Sequence, residues 1–226
     1  MSLLRLSWLL YRKDLQIAAR SKEVLGFMLL FAVLCVVVFA FGFLRAGAAA
    51  DAELPGVLWV TLLFSSTVGL LRLFTPEDEG GVLDLMHRSI HGSLPLFLSK
   101  ALLQLTYTGV VTVLLVPTVL LFFDAHLQAP GLVAAALALG LIGQATLGTL
   151  CAALLMQVRM REVLLPLLLY PLLAPVVLGG VQVTAHLQQG AGPEVWGGWL
   201  GLMAAYDVVL LVLAPWLHER VTQGAA

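Results

Sequence analysis

Long apolar runs alternate with short polar connections along most of the chain. A helix needs about 20 apolar residues to cross the hydrocarbon core of a bilayer, and several runs reach that length. They predict six membrane-spanning helices, at residues 24–44, 55–74, 100–123, 131–155, 163–186 and 197–217. The pattern is typical of an all-α, polytopic membrane protein that forms a single transmembrane domain over residues 1–226.

The amino-terminal segment, residues 1–23, follows a different pattern. On a helical wheel, Arg5, Arg12 and other polar residues share one stripe, whereas leucines and Trp8 cover most of the remaining surface, and Asp14 interrupts the apolar face. This distribution favours an amphipathic helix that lies in the cytoplasmic membrane interface. The alternative is a basic tail that only sets the topology.

The composition supports lipid as the solvent. Hydrophobic residues make up 61% of the chain and charged residues only 11%, against about 25% charged residues in a typical soluble domain. The net charge of −1 gives no reason to expect nucleic-acid binding. Cys35 and Cys151 lie inside apolar runs, where unpaired and unreactive thiols are expected. The charges near the amino terminus do not fit a cleavable signal peptide.

The basic residues predict the orientation in the membrane. Six spans place both termini on the same side. If that side is the cytoplasm, every one of the 12 Lys and Arg residues except Arg45 lies inside, as the positive-inside rule requires. The short cytoplasmic connection at 157–162 either touches a partner or only enforces this topology, and we favour the second interpretation. Four tryptophans lie near predicted span ends, where indole rings prefer the interface: Trp59, Trp196, Trp199 and Trp216.

The longest polar connection, residues 72–100, contains four acidic residues, three basic residues and two histidines. Thr75 and Pro76 have the chemistry of a helix start, and Asp84 and Arg88 form an i,i+4 pair. We therefore predict a cytoplasmic coupling helix between spans two and three, on which a moving cytoplasmic partner docks; a solvated loop with a frayed helix is the alternative. The candidate coupling residues are Glu77, Asp78, Glu79, Asp84 and Arg88.

A few polar residues lie within the predicted spans. Asp207 is near the middle of the last span, where a carboxylate is costly and is a functional candidate. Three interpretations stay open: a proton or ion pathway, a neutral acid bonded to a neighbouring helix, or a residue facing a watery cavity. Gln104 and Gln144 are expected to hydrogen-bond between helices.

Three prolines interrupt the fifth span, at Pro166, Pro171 and Pro175. Each removes a backbone donor and bends or breaks a helix. The spacing predicts a kinked or discontinuous helix, which is either a conformational element or a static packing feature.

No pattern of a catalytic or metal site emerges from the sequence. His87 and His91 are four residues apart, but no third ligand accompanies them. Solvated or interfacial histidines are expected throughout, including His126 and His186 near the outer surface. The sequence contains no Walker A motif, hydrolase triad or paired-carboxylate site. We therefore predict a non-catalytic subunit with no metal ion, whose ATP is hydrolysed by a partner chain.

Several stretches match the sequence pattern of a known family: residues 55–60, 70–74, 77–79, 81–83, 99–101 and 170–175. On these stretches the chain resembles the CcmB family, the membrane permease subunits (haem exporter protein B) of the cytochrome c maturation ABC transporter. Its size, its six spans and its amphipathic start are also similar to that family. The resemblance implies an ABC-2-type permease fold in the bacterial cytoplasmic (inner) membrane.

The resemblance also implies a set of partners. Two copies of the chain would pair with a CcmA-like cytoplasmic ATPase and associate with CcmC-like and CcmD-like membrane subunits. The complex would couple ATP hydrolysis to haem delivery, or to release of a CcmE-like chaperone loaded with haem. No cofactor is expected on this chain, because ATP belongs to the ATPase and haem is handled by the complex.

Two other functions stay open at the level of sequence. One is an ABC-2-type permease that exports another substrate, such as a lipid-linked sugar or a drug. The other is an intramembrane enzyme that uses Asp207 and a histidine.

Overall fold

The computed structural model describes residues 3–45, 50–74, 94–156 and 158–224. These residues form seven helices and no strand: α1 (Leu3–Ser21), α2 (Glu23–Arg45), α3 (Ala50–Arg72), α4 (Leu94–Phe123), α5 (Pro130–Leu154), α6 (Arg161–Gln188) and α7 (Pro193–Gly224). The six helices from α2 to α7 are long and apolar enough to cross a membrane. The predicted all-α class and the six predicted spans are therefore confirmed.

The observed helices extend beyond several of the predicted apolar runs. The second span was predicted to begin at residue 55, and its helix begins at Ala50; the helix of the third span begins at Leu94 instead of residue 100. The last helix continues to Gly224. A helix satisfies its backbone hydrogen bonds within its own segment, whatever the polarity of its side chains, so it does not have to end where its apolar run ends.

Helix α3 lies at the centre of the bundle. It packs against α2, α4 and α6, while α5 packs against α4, α6 and α7. Small side chains such as Ser65 and Ser66 on α3, and Gly140 and Gly143 on α5, are buried at these contacts. Apolar side chains gain little by leaving lipid for one another, so close packing of small residues holds such helices together.

Helix α1 packs along the amino-terminal half of α4, where Tyr11 and Asp14 contact Thr106 and Lys100. The chain then turns into α2 through Lys22. Lys22 has a left-handed backbone with φ of 49°, which separates the two helices by a single residue. The predicted amino-terminal helix is thus confirmed as a helix. Its place in the membrane interface stays a prediction.

The Trp59 ring is buried between helices and does not face a membrane interface, so the prediction for this residue is wrong. Its side chain is 1% exposed, and its Nε1 donates a hydrogen bond to Thr184 Oγ1 at 3.0 Å. A Cβ atom at either Gly140 or Gly180 would overlap the indole ring. Glycines on two neighbouring helices therefore make room for a ring that would otherwise remain at the surface. Trp196, Trp199 and Trp216 are half-buried or exposed.

The proline-rich fifth span is one continuous helix from Arg161 to Gln188. Of the two predicted forms, kinked or discontinuous, the discontinuous one is therefore wrong, and a kink stays a prediction. Pro166, Pro171 and Pro175 all lie inside it. Tyr206 on α7 donates a hydrogen bond to the backbone carbonyl of Leu172 at 2.5 Å. Side chains of a neighbouring helix can bond carbonyls in proline-containing stretches, which lets such helices persist in membranes.

The three histidines that the structure describes lie in two environments. His126 is exposed and His186 is half-buried, as expected. His218 is instead buried, and its ring lies 5.0 Å from that of Phe97 at an interplanar angle of 31°. The expectation of a solvated or interfacial ring is wrong for His218, because α4 covers it.

Both cysteines are free thiols. Cys35 is half-buried and Cys151 is buried.

Candidate functional site

The five predicted coupling residues, Glu77, Asp78, Glu79, Asp84 and Arg88, lie outside the described residues, as do His87 and His91. The structure does describe both ends of the connection that carries them. Helix α3 ends at Arg72, followed by a turn at Leu73 and Phe74, and α4 begins at Leu94. The candidate site is therefore the group of side chains that holds these two ends.

A buried ion pair lies at the start of α4. Lys100 Nζ is 2.9 Å from Asp14 Oδ2, and the two side chains are only 1% and 4% exposed. The other carboxylate oxygen, Oδ1, is 3.0 Å from Nζ of Lys13, a half-exposed residue. The acid that interrupted the apolar face of α1 is thus the residue that binds α1 to α4.

The same ion pair contacts the end of α3. Lys100 Nζ lies 6.0 Å from the centre of the Phe74 ring, at the outer limit for a cation–π contact. Leu73 and Phe74 are both buried, and a cavity of about 80 Å³ is bounded by Asp14, Leu73 and Lys100 among others. We call Asp14, Leu73, Phe74 and Lys100 the anchor cluster, because they join both ends of the 75–93 connection to α1.

A second polar contact holds α1 in place. The hydroxyls of Tyr11 and Thr106 share a hydrogen bond of 2.9 Å. Tyr11 precedes Asp14 by three residues, and Thr106 follows Lys100 by six. Helix α1 therefore makes polar contacts with α4 at two positions along the α4 axis. The two contacts together fix the rotation of α1 about its own axis and its distance from α4.

Both glutamines form the interhelical hydrogen bonds that the sequence predicted. Gln104 Nε2 on α4 donates to the backbone carbonyl of Ser66 at 3.1 Å. Gln144 Nε2 on α5 donates to the Ser66 hydroxyl and, at 3.5 Å, lies close to the carbonyl of Leu63. The two glutamines thus meet the same turn of α3 and connect it to α4 and α5.

Asp207 lies on α7 and is 3% exposed. Its Oδ1 approaches the backbone of α5 at Gly143, where an added Cβ atom would overlap it. Within the described part of the chain, neither carboxylate oxygen has a hydrogen-bond partner. The bond to a neighbouring helix that one interpretation required is therefore absent among those residues. The functional role of Asp207 stays a prediction.

Among the described residues, no three His, Cys, Asp or Glu side chains come together as a metal-ion site requires.

The ion pair and Trp59 are the features that sequence reasoning missed. The signal for the first was an acid on an otherwise apolar helix face. Nothing local marked Trp59, because its pocket is made by glycines far away in sequence.

Known proteins of one family match this chain along almost its whole length. The family model described as CcmB protein matches residues 5–221. "Heme exporter protein B" of Paracoccus denitrificans is 31% identical over 208 residues, covering 90% of this chain and 92% of that protein. "Heme exporter protein B" of Rhodobacter capsulatus is 30% identical over 214 residues, covering 94% and 97%. The chain belongs to the CcmB family.

Proposed function

We propose that this chain is the transmembrane subunit of an ABC transporter complex for cytochrome c maturation. In this proposal it couples ATP hydrolysis by a separate ATPase to haem delivery, or to release of a haem-loaded chaperone. Its membership of the CcmB family and the name of its relatives, "Heme exporter protein B", support the haem part. The chain itself is not a catalyst, because hydrolysis takes place on the partner.

The proposed complex contains two copies of this chain in the bacterial inner membrane, with both termini in the cytoplasm. Its other members are a CcmA-like ATPase, CcmC-like and CcmD-like membrane subunits, and a CcmE-like haem chaperone. The ATPase docks on residues 75–93 through the acidic residues 77–79, Asp84 and Arg88.

The observation that carries the coupling step is the anchor cluster. A partner that moves the 75–93 connection pulls on α3 through Leu73 and Phe74, and on α4 through its first turns. Lys100 transmits the displacement to Asp14 and hence to α1. A loop whose ends were loosely held would absorb such a displacement; buried and ion-paired ends pass it to the helices.

Helix α3 distributes the displacement further. It packs against α2, α4 and α6, and Gln104 and Gln144 bond one of its turns to α4 and α5. A movement that begins at the end of α3 therefore reaches most of the bundle as a rigid-body shift. Packed helices move in this way because their interiors do not compress.

The test is co-purification of the ATPase with charge-reversed variants. Replacing Glu77, Asp78 and Glu79 together by lysine, or Asp84 by arginine, is expected to abolish recovery of the ATPase while the chain still inserts. The matched control is Glu162→Lys, which makes the same reversal on the other cytoplasmic connection and is expected to retain the ATPase.

The outcomes separate the parts of the proposal. Retention of the ATPase by the reversed variants would exclude the 75–93 connection as its docking site. Recovery of an ATPase without CcmC-like and CcmE-like proteins from native membranes would instead favour an exporter of another substrate. Failure to recover any ATPase with the unmodified chain would refute the coupling function.

A further inference from the structure

An apolar groove of about 570 Å³ opens beside α1. Its walls are formed by Leu4 and Trp8 on α1, Leu102 and Leu105 on α4, Ile142 on α5 and Leu211 on α7. Along α4 the lining runs from Leu98 to Leu105, a length of about 10 Å at 1.5 Å per residue. The volume lies in the range of about 300–1,000 Å³ that is usual for small-molecule sites.

The two contacts between α1 and α4 produce this groove. Asp14 and Tyr11 hold one face of α1 against α4, so the neighbouring face, with Leu4 and Trp8, lies over the groove. Trp8 remains 57% exposed. An indole at the mouth of an apolar groove suits the boundary between acyl chains and headgroups.

Cationic side chains lie beside the mouth of the groove. Arg5 precedes Trp8 by three residues and Arg12 follows it by four, so both are its neighbours on the helix surface. Both arginines are exposed. The acid of α1, Asp14, is already paired with Lys100 and Lys13. The mouth is therefore positively charged above an apolar interior.

We propose that this groove is a binding site for an anionic phospholipid. One acyl chain lies in the groove between α4 and α7, and the phosphate meets the guanidinium groups of Arg5 and Arg12 above it. Guanidinium binds phosphate through two parallel hydrogen bonds. Basic groups beside intramembrane grooves on the cytoplasmic side are suited to anionic lipids.

The proposal depends on charge complementarity and not on the apolar groove alone. A zwitterionic lipid would place its own cation near Arg5 and Arg12 and gain little. A second copy of this chain would have to bring an acidic group to the same mouth. Phosphatidylglycerol and phosphatidylcholine with identical acyl chains therefore separate headgroup recognition from occupation of the groove.

The experiment is native mass spectrometry of the purified full chain with equal amounts of these two lipids. The unmodified chain is expected to retain phosphatidylglycerol preferentially. Replacing Arg5 and Arg12 by glutamine is expected to lower this preference by about fivefold for each arginine. The matched control is Arg20→Gln, which removes the same charge at the other end of α1 and is expected to leave the preference unchanged.

A second pair of variants tests the groove. Ala101 lines it, so Ala101→Phe is expected to lower retention of both lipids while leaving their ratio unchanged. Val113→Phe introduces the same phenyl ring on an exposed part of α4 outside the groove and is expected to retain both lipids. Circular dichroism confirms that each variant remains helical.

Four results would overturn the proposal. The first is equal retention of the two lipids by the unmodified chain. The second is an effect of Arg20→Gln as large as that of the Arg5 and Arg12 changes, which would indicate diffuse attraction to the whole helix. The third is unchanged lipid retention in Ala101→Phe, and the fourth is the formation of pairs of chains at this face in place of lipid.

Discussion

Removal of the Asp14–Lys100 ion pair is expected to destabilise the protein strongly. Both side chains are almost fully buried and their charged atoms are 2.9 Å apart. Breaking a buried pair by removing one partner costs about 3–5 kcal/mol, because the remaining charge stays buried. Asp14→Asn and Lys100→Met are each expected to lower the free energy of unfolding by this amount.

The double variant distinguishes the ion pair from simple loss of packing. With both charges removed, neither side chain leaves a charge in the protein, so Asp14→Asn with Lys100→Met is expected to cost less than the two single changes together. Contacting residues couple by about 0.5–3 kcal/mol, and this pair is expected to lie at the upper end. The hydrogen bond between Tyr11 and Thr106 keeps α1 near α4 in all three variants.

The assay is unfolding in mixed micelles with a rising fraction of dodecyl sulfate, followed by circular dichroism. The control is Lys13→Gln, which removes the exposed partner of Asp14. Exposed ion pairs contribute about 0–1 kcal/mol, so this variant is expected to remain close to the unmodified chain. Additive effects of Asp14→Asn and Lys100→Met, or a cost below 1 kcal/mol for either, would refute the role given to the anchor cluster.

Three further changes follow from the packing of the spans. Gly180→Ala places a methyl group in the space that the Trp59 ring occupies and is expected to lower the free energy of unfolding by about 1–3 kcal/mol. The control Gly197→Ala meets no neighbour and is expected to be neutral or stabilising. Equal unfolding transitions of the two variants would contradict this. Gln144→Leu removes an interhelical hydrogen bond and is expected to lower the free energy of unfolding by about 0.6 kcal/mol. A loss above about 2 kcal/mol would contradict the assignment of a single ordinary hydrogen bond to this side chain. Asp207→Asn is expected to be at least as stable as the unmodified chain, because neither carboxylate oxygen has a partner among the described residues; clear destabilisation would reveal a contact that the carboxylate requires.

The residues of the anchor cluster show what sequence patterns can and cannot predict. The wheel of the amino-terminal helix identified Asp14 as an exception on an apolar face, and the apolar run predicted the span that contains Lys100. Their pairing spans 86 residues of chain. Periodicity describes one helix at a time, so it indicates that a buried acid needs a partner without indicating which basic residue supplies it.

Trp59 illustrates a different limit. Its position near a span end made an interfacial ring the natural prediction, because indole groups prefer that region. The ring is buried because Gly140 and Gly180 leave space on two other helices and Thr184 accepts its N–H. In helix α6 the three prolines suggested a possible break that the structure does not contain. Tyr206 of the neighbouring helix bonds a carbonyl of the proline-containing stretch, and the helix continues through all three prolines.

The sequence by itself determined the class of the protein, the number of its spans and the amphipathic start. These properties depend on how many consecutive residues are apolar and on how polar residues repeat along one helix. Both are visible in the amino-acid sequence alone. The tertiary structure alone decided that α3 lies at the centre, that Asp14 meets Lys100, and that Trp59 is buried. These contacts join residues that are distant in sequence, and the shapes of several helices together select them.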